Sequence, residues 1–165
     1  MGRRWYVDET YIKVKGKWCY LYRAIDREGN LVDSMLSPTR DMNAAQRFFR
    51  SAQSMVNATP TQVTTDGHDS YPRAIRETLG PKVKHRCSAY MNRRIERDHR
   101  GVKQRYNAML GFGAFASGQR FWRAFEEVRQ YFRPRRKQNE KISLPTARRQ
   151  FLFRALELES MFLAS

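Results

Sequence analysis

The chain has 165 residues, 41% of them hydrophobic and 13% aromatic, which is enough to bury the core of one domain. Its 32 Lys and Arg residues against 16 Asp and Glu give a formal charge of +16, which favours a polyanionic partner, DNA or RNA, over the alternative of an anionic membrane surface. No apolar run approaches the roughly 20 residues that span a bilayer, no signal peptide follows the basic start, and two cysteines give no disulfide framework. These features predict a cytoplasmic protein.

The first third of the chain predicts an antiparallel set of strands. Aromatic and β-branched residues dominate Arg4–Val14, Trp18–Asp26 and Leu31–Ser37. The connections at 15–16 and 27–30 are short, and tight connections join antiparallel neighbours.

The middle of the chain predicts helices that alternate with short strands. Asp41 can cap a helix whose apolar residues recur at helical spacing as far as Val56. A strand at Gln62–Thr65, a helix at Pro72–Leu79 and a strand at Lys82–Arg86 follow. The predicted order is β-β-β-α-β-α-β.

The last part of the chain predicts three further helices. The first begins near Asn92, and its buried stripe consists of Ile95, His99, Val102, Tyr106 and Met109. Glycines at 111–113 and 118 loosen the chain before a helix at Gln119–Phe132, whose apolar side consists of Phe121, Phe125, Val128 and Phe132.

A basic connector, 133–141, marks the expected domain edge. We therefore expect one domain at 1–133, and at 134–165 the connector followed by an amphipathic helix. That helix carries Phe151, Leu152, Ala155, Leu156 and Phe162, and it docks back or pairs with another chain.

Three acidic residues, Asp8, Asp66 and Glu96, stand among strand-forming or basic neighbours. A two-metal site for phosphodiester chemistry needs oxygen ligands that converge from separate elements, and the three would supply one ligand each from two strands and a helix. Each has an alternative role: Asp8 as a surface charge beside Glu9, Asp66 as a turn residue, and Glu96 as a helix charge paired with Arg100. Strand alternation places Asp8 on the opposite face from Glu9.

For other polar residues the sequence leaves more than one role open. His68 orients water or a phosphate oxygen, or is a turn residue. His85, Cys87 and His99 could seed a zinc site, but their spacing matches no zinc pattern. Basic residues crowd the helix of Glu96 and predict phosphate contact rather than only a solvated face; they are Arg93, Arg94, Arg97, Arg100, Lys103 and Arg105.

Four segments, 5–16, 36–41, 66–72 and 92–100, together resemble the DDE transposases of prokaryotic insertion sequences, nearest to the insertion sequence six family. The resemblance covers about residues 4 to 132. It implies an α/β, ribonuclease H-like fold: a five-stranded mixed sheet in the order 3-2-1-4-5 with helices on both faces. It also implies that Asp8, Asp66 and Glu96 are catalytic and bind two Mg²⁺ or Mn²⁺ ions.

In such enzymes water attacks a phosphodiester at the element end, and the freed 3′-hydroxyl then attacks target DNA. The resemblance thus implies DNA as partner, at element ends and target, a dimer or larger assembly on it, and a nucleoid-associated location. The residues expected to contact DNA are Lys13, Lys15, Arg40, His68, Tyr71, Asn92, Arg93, Arg94, His99, Arg100 and Lys103.

Two features depart from the family pattern. The interval from Asp66 to Glu96 is short, with the loss falling around 79–83. Family members also carry a helix-turn-helix region ahead of the catalytic domain, so we expect a catalytic domain, a truncated reading frame or one piece of a split gene. The alternatives to an active transposase domain are an idle DNA-binding remnant and a stand-alone nuclease of the ribonuclease H type.

Overall fold

The computed structural model describes residues 2–88, 93–134 and 141–164, without the side chains of Arg93, Arg94 and Arg97. The strands are β1 (Arg4–Val14), β2 (Lys17–Asp26), β3 (Leu31–Ser37), β4 (Gln62–Thr65) and β5 (Lys84–Cys87). The helices are α1 (Met42–Val56), α2 (Ser70–Thr78), α3 (Arg93–Met109), α4 (Phe115–Phe132) and α5 (Leu144–Leu163). The predicted order of elements is confirmed.

The chain divides into two compact units, Met1–Arg123 and Ala124–Ser165, and the division falls within α4. The predicted connector lies near this division, but its residues 135–140 are outside the described part of the chain.

The first unit contains one five-stranded sheet in the order β3-β2-β1-β4-β5, the order that the resemblance implies. β1 pairs with β2, and β2 with β3, in antiparallel fashion, while β4 runs parallel to both β1 and β5. The turn between β1 and β2 places Lys15 and Gly16 at positive φ, 49° and 74°. Tyr6 of β1 lies opposite Thr64 of β4, so two residues further along both strands Asp8 and Asp66 reach the same edge of the sheet.

Helices cover both faces of this sheet. On one face Trp5 and Val7 of β1 join the core formed with Phe48 of α1 and Ile75 of α2. On the other face Tyr6, its neighbour Ile25 on β2 and Ile95 of α3 form a second cluster. Alternation along β1 therefore directs Val7 towards α1 and α2, and Asp8 towards α3.

Residues between β3 and α1 are held by a helix cap. The side chain of Asp41 accepts a hydrogen bond from the backbone N–H of Ala44 at 2.8 Å, which confirms the predicted N-cap. The cap fixes the backbone directly after Arg40.

The segment after α3 is hydrogen-bonded to β1. The glycines in this segment had instead predicted a loosely packed chain. The N–H of Phe112 donates to the carbonyl of Lys13 at 3.1 Å, and the N–H of Lys15 donates to the carbonyl of Phe112 at 2.8 Å. Gly111 has a φ of +106°, and a Cβ there would lie 3.1 Å from the Lys13 carbonyl oxygen. The glycine is needed for close approach to the strand.

The predicted apolar side of α4 differs from the buried one. Val128 is 57% exposed, whereas Trp122 is 1% exposed and Gly118 is also buried. Gly118 and Trp122 are one turn apart, and a Cβ on Gly118 would lie 3.3 Å from Leu36 and Phe112. The helix has several apolar stripes, and periodicity alone does not select the one that packs.

In the second unit, α5 and the end of α4 contact each other through polar and aromatic groups. The guanidinium of Arg154 donates to the carbonyls of Tyr131 and Arg133, and the Tyr131 hydroxyl donates to Glu157 at 3.1 Å. The ring of Phe132 lies 4.7 Å from that of Phe151. The tail thus forms the predicted helix, but several of its apolar side chains remain exposed: Phe151, Leu152, Phe153, Leu156, Met161 and Phe162. No helix among the described residues is long and apolar enough to cross a membrane.

Candidate metal centre

Three carboxylates converge at the edge of the sheet where β4 ends. One oxygen from each of Asp8, Glu9 and Asp66 can be chosen such that all three lie within 4.8 Å of one another. The structure thus brings together two of the three predicted acids and adds Glu9. Carboxylate oxygens are the donors that Mg²⁺ and Mn²⁺ prefer, so the residues present fit such an ion.

Glu9 is tied to Arg40. This carboxylate is buried on the face of β1 opposite to Asp8, and it accepts from the Arg40 guanidinium at two points, 3.1 Å to Nη2 and 3.3 Å to Nε. The same Nη2 donates to Asp66 at 3.0 Å. Arg40, a predicted DNA contact, is therefore part of the carboxylate cluster.

The electrostatics of the cluster concentrate on Asp8. Burial first, and then the negative charges of Glu9 and Asp66, raise the pKa of Asp8 to about 7. The backbone N–H of Glu9, 2.9 Å from Asp8, opposes this only in part, and the charge of Glu96 adds to the increase. A cation at this point would relieve the repulsion between the carboxylates.

Helix α3 brings Glu96 and His99 to the Asp8 side of the sheet. The Nδ1 atom of His99 lies 3.5 Å from a carboxylate oxygen of Asp8, and His99 is buried as the predicted stripe requires. Glu96 is exposed, and its charge acts on Asp8. Among the described residues, however, the Glu96 carboxylate is outside the group that lies within 4.8 Å.

A buried ion pair fastens α3 to the sheet. Arg23 lies opposite Asp8 in the pairing of β1 with β2, and its Nη2 is 2.5 Å from the carboxylate of Asp98. The Arg23 side chain has no exposed surface, and that of Asp98 is 9% exposed. This pair lies two residues beyond Glu96 and helps to set the position of that turn of α3.

The side chains of two residues that were predicted to contact DNA are buried. Tyr71 is fully buried in the core beside Phe49, so its side chain offers no surface to DNA. His99 is 4% exposed and faces Asp8 rather than the outside of the helix. Both side chains serve the apolar side of their helices, because the helical period places them there.

The remaining predicted contacts divide into three kinds. Lys13, Lys15, Arg100 and Lys103 are exposed. The Nδ1 atom of His68 lies 2.8 Å from the Ser70 hydroxyl, next to the start of α2, as a turn residue would. Asn92 and the side chains of Arg93 and Arg94 are outside the described residues.

The residues considered for zinc do not form a group of three within the described part of the chain. His85 lies 2.9 Å from the Thr65 hydroxyl, and the sulfur of Cys87 is 3.7 Å from His85. His99 faces Asp8 instead.

In the sequence, Glu9 stands out only as a neighbour that makes the role of Asp8 ambiguous, and its link to Arg40 is not visible. The adjacent pair Asp8-Glu9 was the available signal. The partner of Glu9 lies 31 residues away, in the β3–α1 loop, where no local pattern points to it.

Comparison with known proteins identifies the family of this chain. Residues 2–135 match a family model described as a DDE domain, DDE_Tnp_IS240. The transposase of the insertion sequence-like element IS431mec from Staphylococcus aureus (strain Mu50) is 42% identical over 106 residues, 62% of this chain and 47% of the relative. The transposase of IS257 in transposon Tn4003, also from S. aureus, matches to the same extent. The chain thus spans about half the length of these curated relatives.

The fold also resembles that of a protein of known structure. The HTLV-2 integrase catalytic core domain, in a structure with magnesium, aligns with a TM-score of 0.53 at 20% identity, over 65% of this chain and 70% of that one. The predicted ribonuclease H-like fold is confirmed by this likeness and by the strand order. The chain belongs to the DDE domain family of insertion-sequence transposases.

Proposed function

We propose that this chain is the catalytic domain of a DDE transposase, which cuts DNA strands and joins the freed 3′ ends to target DNA with the help of divalent metal ions. The observation that carries the proposal is the convergence of Asp8 and Asp66 at one sheet edge, within a chain of this family. Burial and like charge destabilise the ionised form of Asp8, so the site is built to favour a bound cation.

Asp8 and Asp66 would hold the metal, and Glu96 would complete the ligand set from α3. The expected cofactor is a pair of Mg²⁺ or Mn²⁺ ions, which would activate the attacking oxygen and stabilise the leaving oxygen. Asp8 must lose its proton to serve as a ligand, so we expect metal binding to release protons near neutral pH. Asp66, which is 37% exposed, stands at the accessible side of the cluster.

The proposed reaction has two steps at one site. Water attacks the phosphorus at the element end and breaks its bond to the 3′ oxygen, which leaves a 3′-hydroxyl. That hydroxyl then attacks a phosphodiester of the target and displaces its 3′ oxygen. Neither step forms a covalent bond to the protein.

The DNA substrate would be held through its phosphates. Exposed Lys13 lies near the end of β1, exposed Lys15 lies in the turn that follows, and exposed Arg100 and Lys103 lie on α3 after Glu96. Such contacts position a duplex without reading its sequence. We propose a dimer or larger assembly on nucleoid DNA in the prokaryotic cytoplasm, an assembly supported by the dimeric and trimeric forms of the HTLV-2 integrase core.

The test is Mn²⁺-dependent nicking and strand transfer at low salt, on generic DNA and on a labelled, pre-cut duplex. We expect the wild type to cut and join DNA, and Asp8→Asn, Asp66→Asn and Glu96→Gln to lose at least about a hundredfold in rate while still binding DNA. Glu127→Gln is the matched control for Glu96→Gln, because both are exposed glutamates on helices.

Each other outcome changes the proposal in a defined way. Nicking without any joined product would favour a stand-alone nuclease. Binding without reaction would favour the idle remnant. Full activity of Glu96→Gln would remove Glu96 from the site.

A further inference from the structure

Arg40 places one nitrogen between two of the three converging carboxylates. Its Nη2 lies 3.1 Å from Glu9 Oε2 and 3.0 Å from Asp66 Oδ2. Its Nε makes a second contact with Glu9 at 3.3 Å. A single cationic group thus lies where an ion shared by Glu9 and Asp66 would have to bind.

The position of Arg40 is fixed from both sides. Its backbone directly precedes Asp41, whose side chain caps α1. The side chain of Glu9 is 2% exposed, and a carboxylate buried to this degree needs a charged or hydrogen-bonding partner. The two-point contact between guanidinium and carboxylate is the geometry that satisfies it.

The other oxygen of Asp66 is engaged as well. Its Oδ1 accepts from the backbone N–H of His68 at 3.2 Å, whereas its Oδ2 accepts from Arg40 at 3.0 Å. Any divalent ion on Asp66 therefore competes with Arg40 for that oxygen or is repelled by its charge.

We infer that Arg40 is a positioning residue: it reserves Glu9 by holding it in an ion pair, which restricts the metal ligands to Asp8, Asp66 and Glu96, and it weakens metal binding because it competes with divalent ions for Asp66. The inference rests on the proposed function, since it presumes that the centre binds metal. In this inference Glu9 keeps Arg40 in place and is not a metal ligand, although its carboxylate belongs to the converging group.

The experiment is Mn²⁺ titration of the whole chain by calorimetry at pH 8, without DNA. Arg40→Met should bind Mn²⁺ about tenfold more tightly than the wild type, because a unit positive charge leaves the centre and two carboxylates become available. Arg40→Gln should shift the affinity in the same direction, and it serves as the second variant if Arg40→Met fails to fold. Arg50→Met, an exposed arginine on α1, is the matched control and should change the affinity less than twofold.

A double-mutant cycle tells whether Arg40 lowers the Mn²⁺ affinity by pairing with Glu9 or only through its positive charge. If Arg40 reserves Glu9, the gain from Arg40→Met should drop below about threefold in the Glu9→Gln background, because only Asp66 is then released. An equal gain in both backgrounds would mean that the two charges act independently, and it would overturn the role of Glu9. Unchanged or weaker Mn²⁺ binding by Arg40→Met would overturn the inference as a whole.

Failure of the inference can be told from failure of the proposed function. Asp8→Asn and Asp66→Asn should abolish Mn²⁺ binding. If the wild type does not bind Mn²⁺, or both variants bind it normally, the metal centre and the inference fall together. If the wild type binds and the two variants do not, a missing gain in Arg40→Met counts against the inference alone.

Discussion

Asp8 and Glu9 are adjacent residues with different surroundings. Alternation along β1 sends the carboxylate of Asp8 towards His99 on α3, and that of Glu9 towards Arg40 in the β3–α1 loop. The carboxylate of Glu9 accepts two hydrogen bonds from the guanidinium of Arg40. Asp8 has a partly buried position among like charges, which raises its pKa to about 7.

Asp8→Asn should therefore stabilise the protein in the presence of a chelator, in a pH-dependent way. In the unfolded chain Asp8 ionises near pH 4, whereas in the folded protein it retains its proton until about pH 7. Stability is thus lost as the pH rises between these values, and the loss is complete above pH 7. We expect the variant to exceed the wild type by a few kcal/mol at pH 8 and by little at pH 4, measured by urea unfolding.

The control for this comparison is Glu127→Gln, which should match the wild type at both pH values. A stability difference for Asp8→Asn that is the same at pH 4 and pH 8 would show that the carboxyl does not titrate as described.

At the scale of elements, two tertiary contacts position the parts of the site. The ion pair between Arg23 and Asp98 fastens α3, and with it Glu96, to β2. The bridge between Val14 and Phe112 holds the chain that leaves α3 against the end of β1. Loss of either contact should affect the end of α3 that it secures.

Asp98→Asn should destabilise the chain by about 3 kcal/mol, because it removes the negative charge that Asp98 presents to the buried guanidinium of Arg23. It should also weaken Mn²⁺ binding, because Glu96 is carried by the same turn of α3. Glu77→Gln is the comparison: it breaks the exposed pair with Arg73 and should cost less than about 1 kcal/mol. Equal losses in urea unfolding would refute the anchoring role of Asp98.

Gly111→Ala should cost about 1 to 3 kcal/mol, because the residue has a φ of +106° and a Cβ would meet the Lys13 carbonyl at 3.1 Å. Gly113→Ala is the matched control two residues away, where a Cβ would meet nothing within 4 Å. Urea unfolding of the two variants measures the difference. If both variants lose the same stability, the close approach to β1 is not what requires the glycine.

At the scale of the whole molecule, the charge of +16 and the acidic cluster have separate roles. Under the proposed function, basic residues spread over the surface would attract DNA at long range, whereas the few converging carboxylates would define the place of reaction. Basic residues near the acidic cluster would bring bound DNA to the carboxylates. We expect exposed basic residues of α3 to do this.

Arg100→Ala and Lys103→Ala should each weaken DNA binding and reduce the slope of log affinity against log salt by about 1, because each removes one phosphate contact. Fluorescence anisotropy with a labelled duplex at several salt concentrations provides the slopes. Lys82→Ala removes an exposed lysine that lies just before β5, and it should leave the slope nearly unchanged. The same change in all three variants would indicate diffuse attraction without a defined DNA path.

Patterns within the sequence were enough to predict the elements and the two acids on neighbouring strands. Residue composition and turn signals predicted β1, β3 and β4, and the helical period predicted α1 and the buried stripe of α3, because these patterns arise within one element. The strand order came from family resemblance, since periodicity does not state which strands are neighbours.

Tertiary packing determines which polar groups meet. The contact of Arg40 with Glu9 joins residues 31 apart, and that of Arg23 with Asp98 joins residues 75 apart. It also decided that Trp122 rather than Val128 packs, and that Tyr71 is core and not surface. The physical reason is the same in each case: local spacing fixes the side of an element on which a side chain lies, but burial and pairing depend on what the rest of the chain brings to that side.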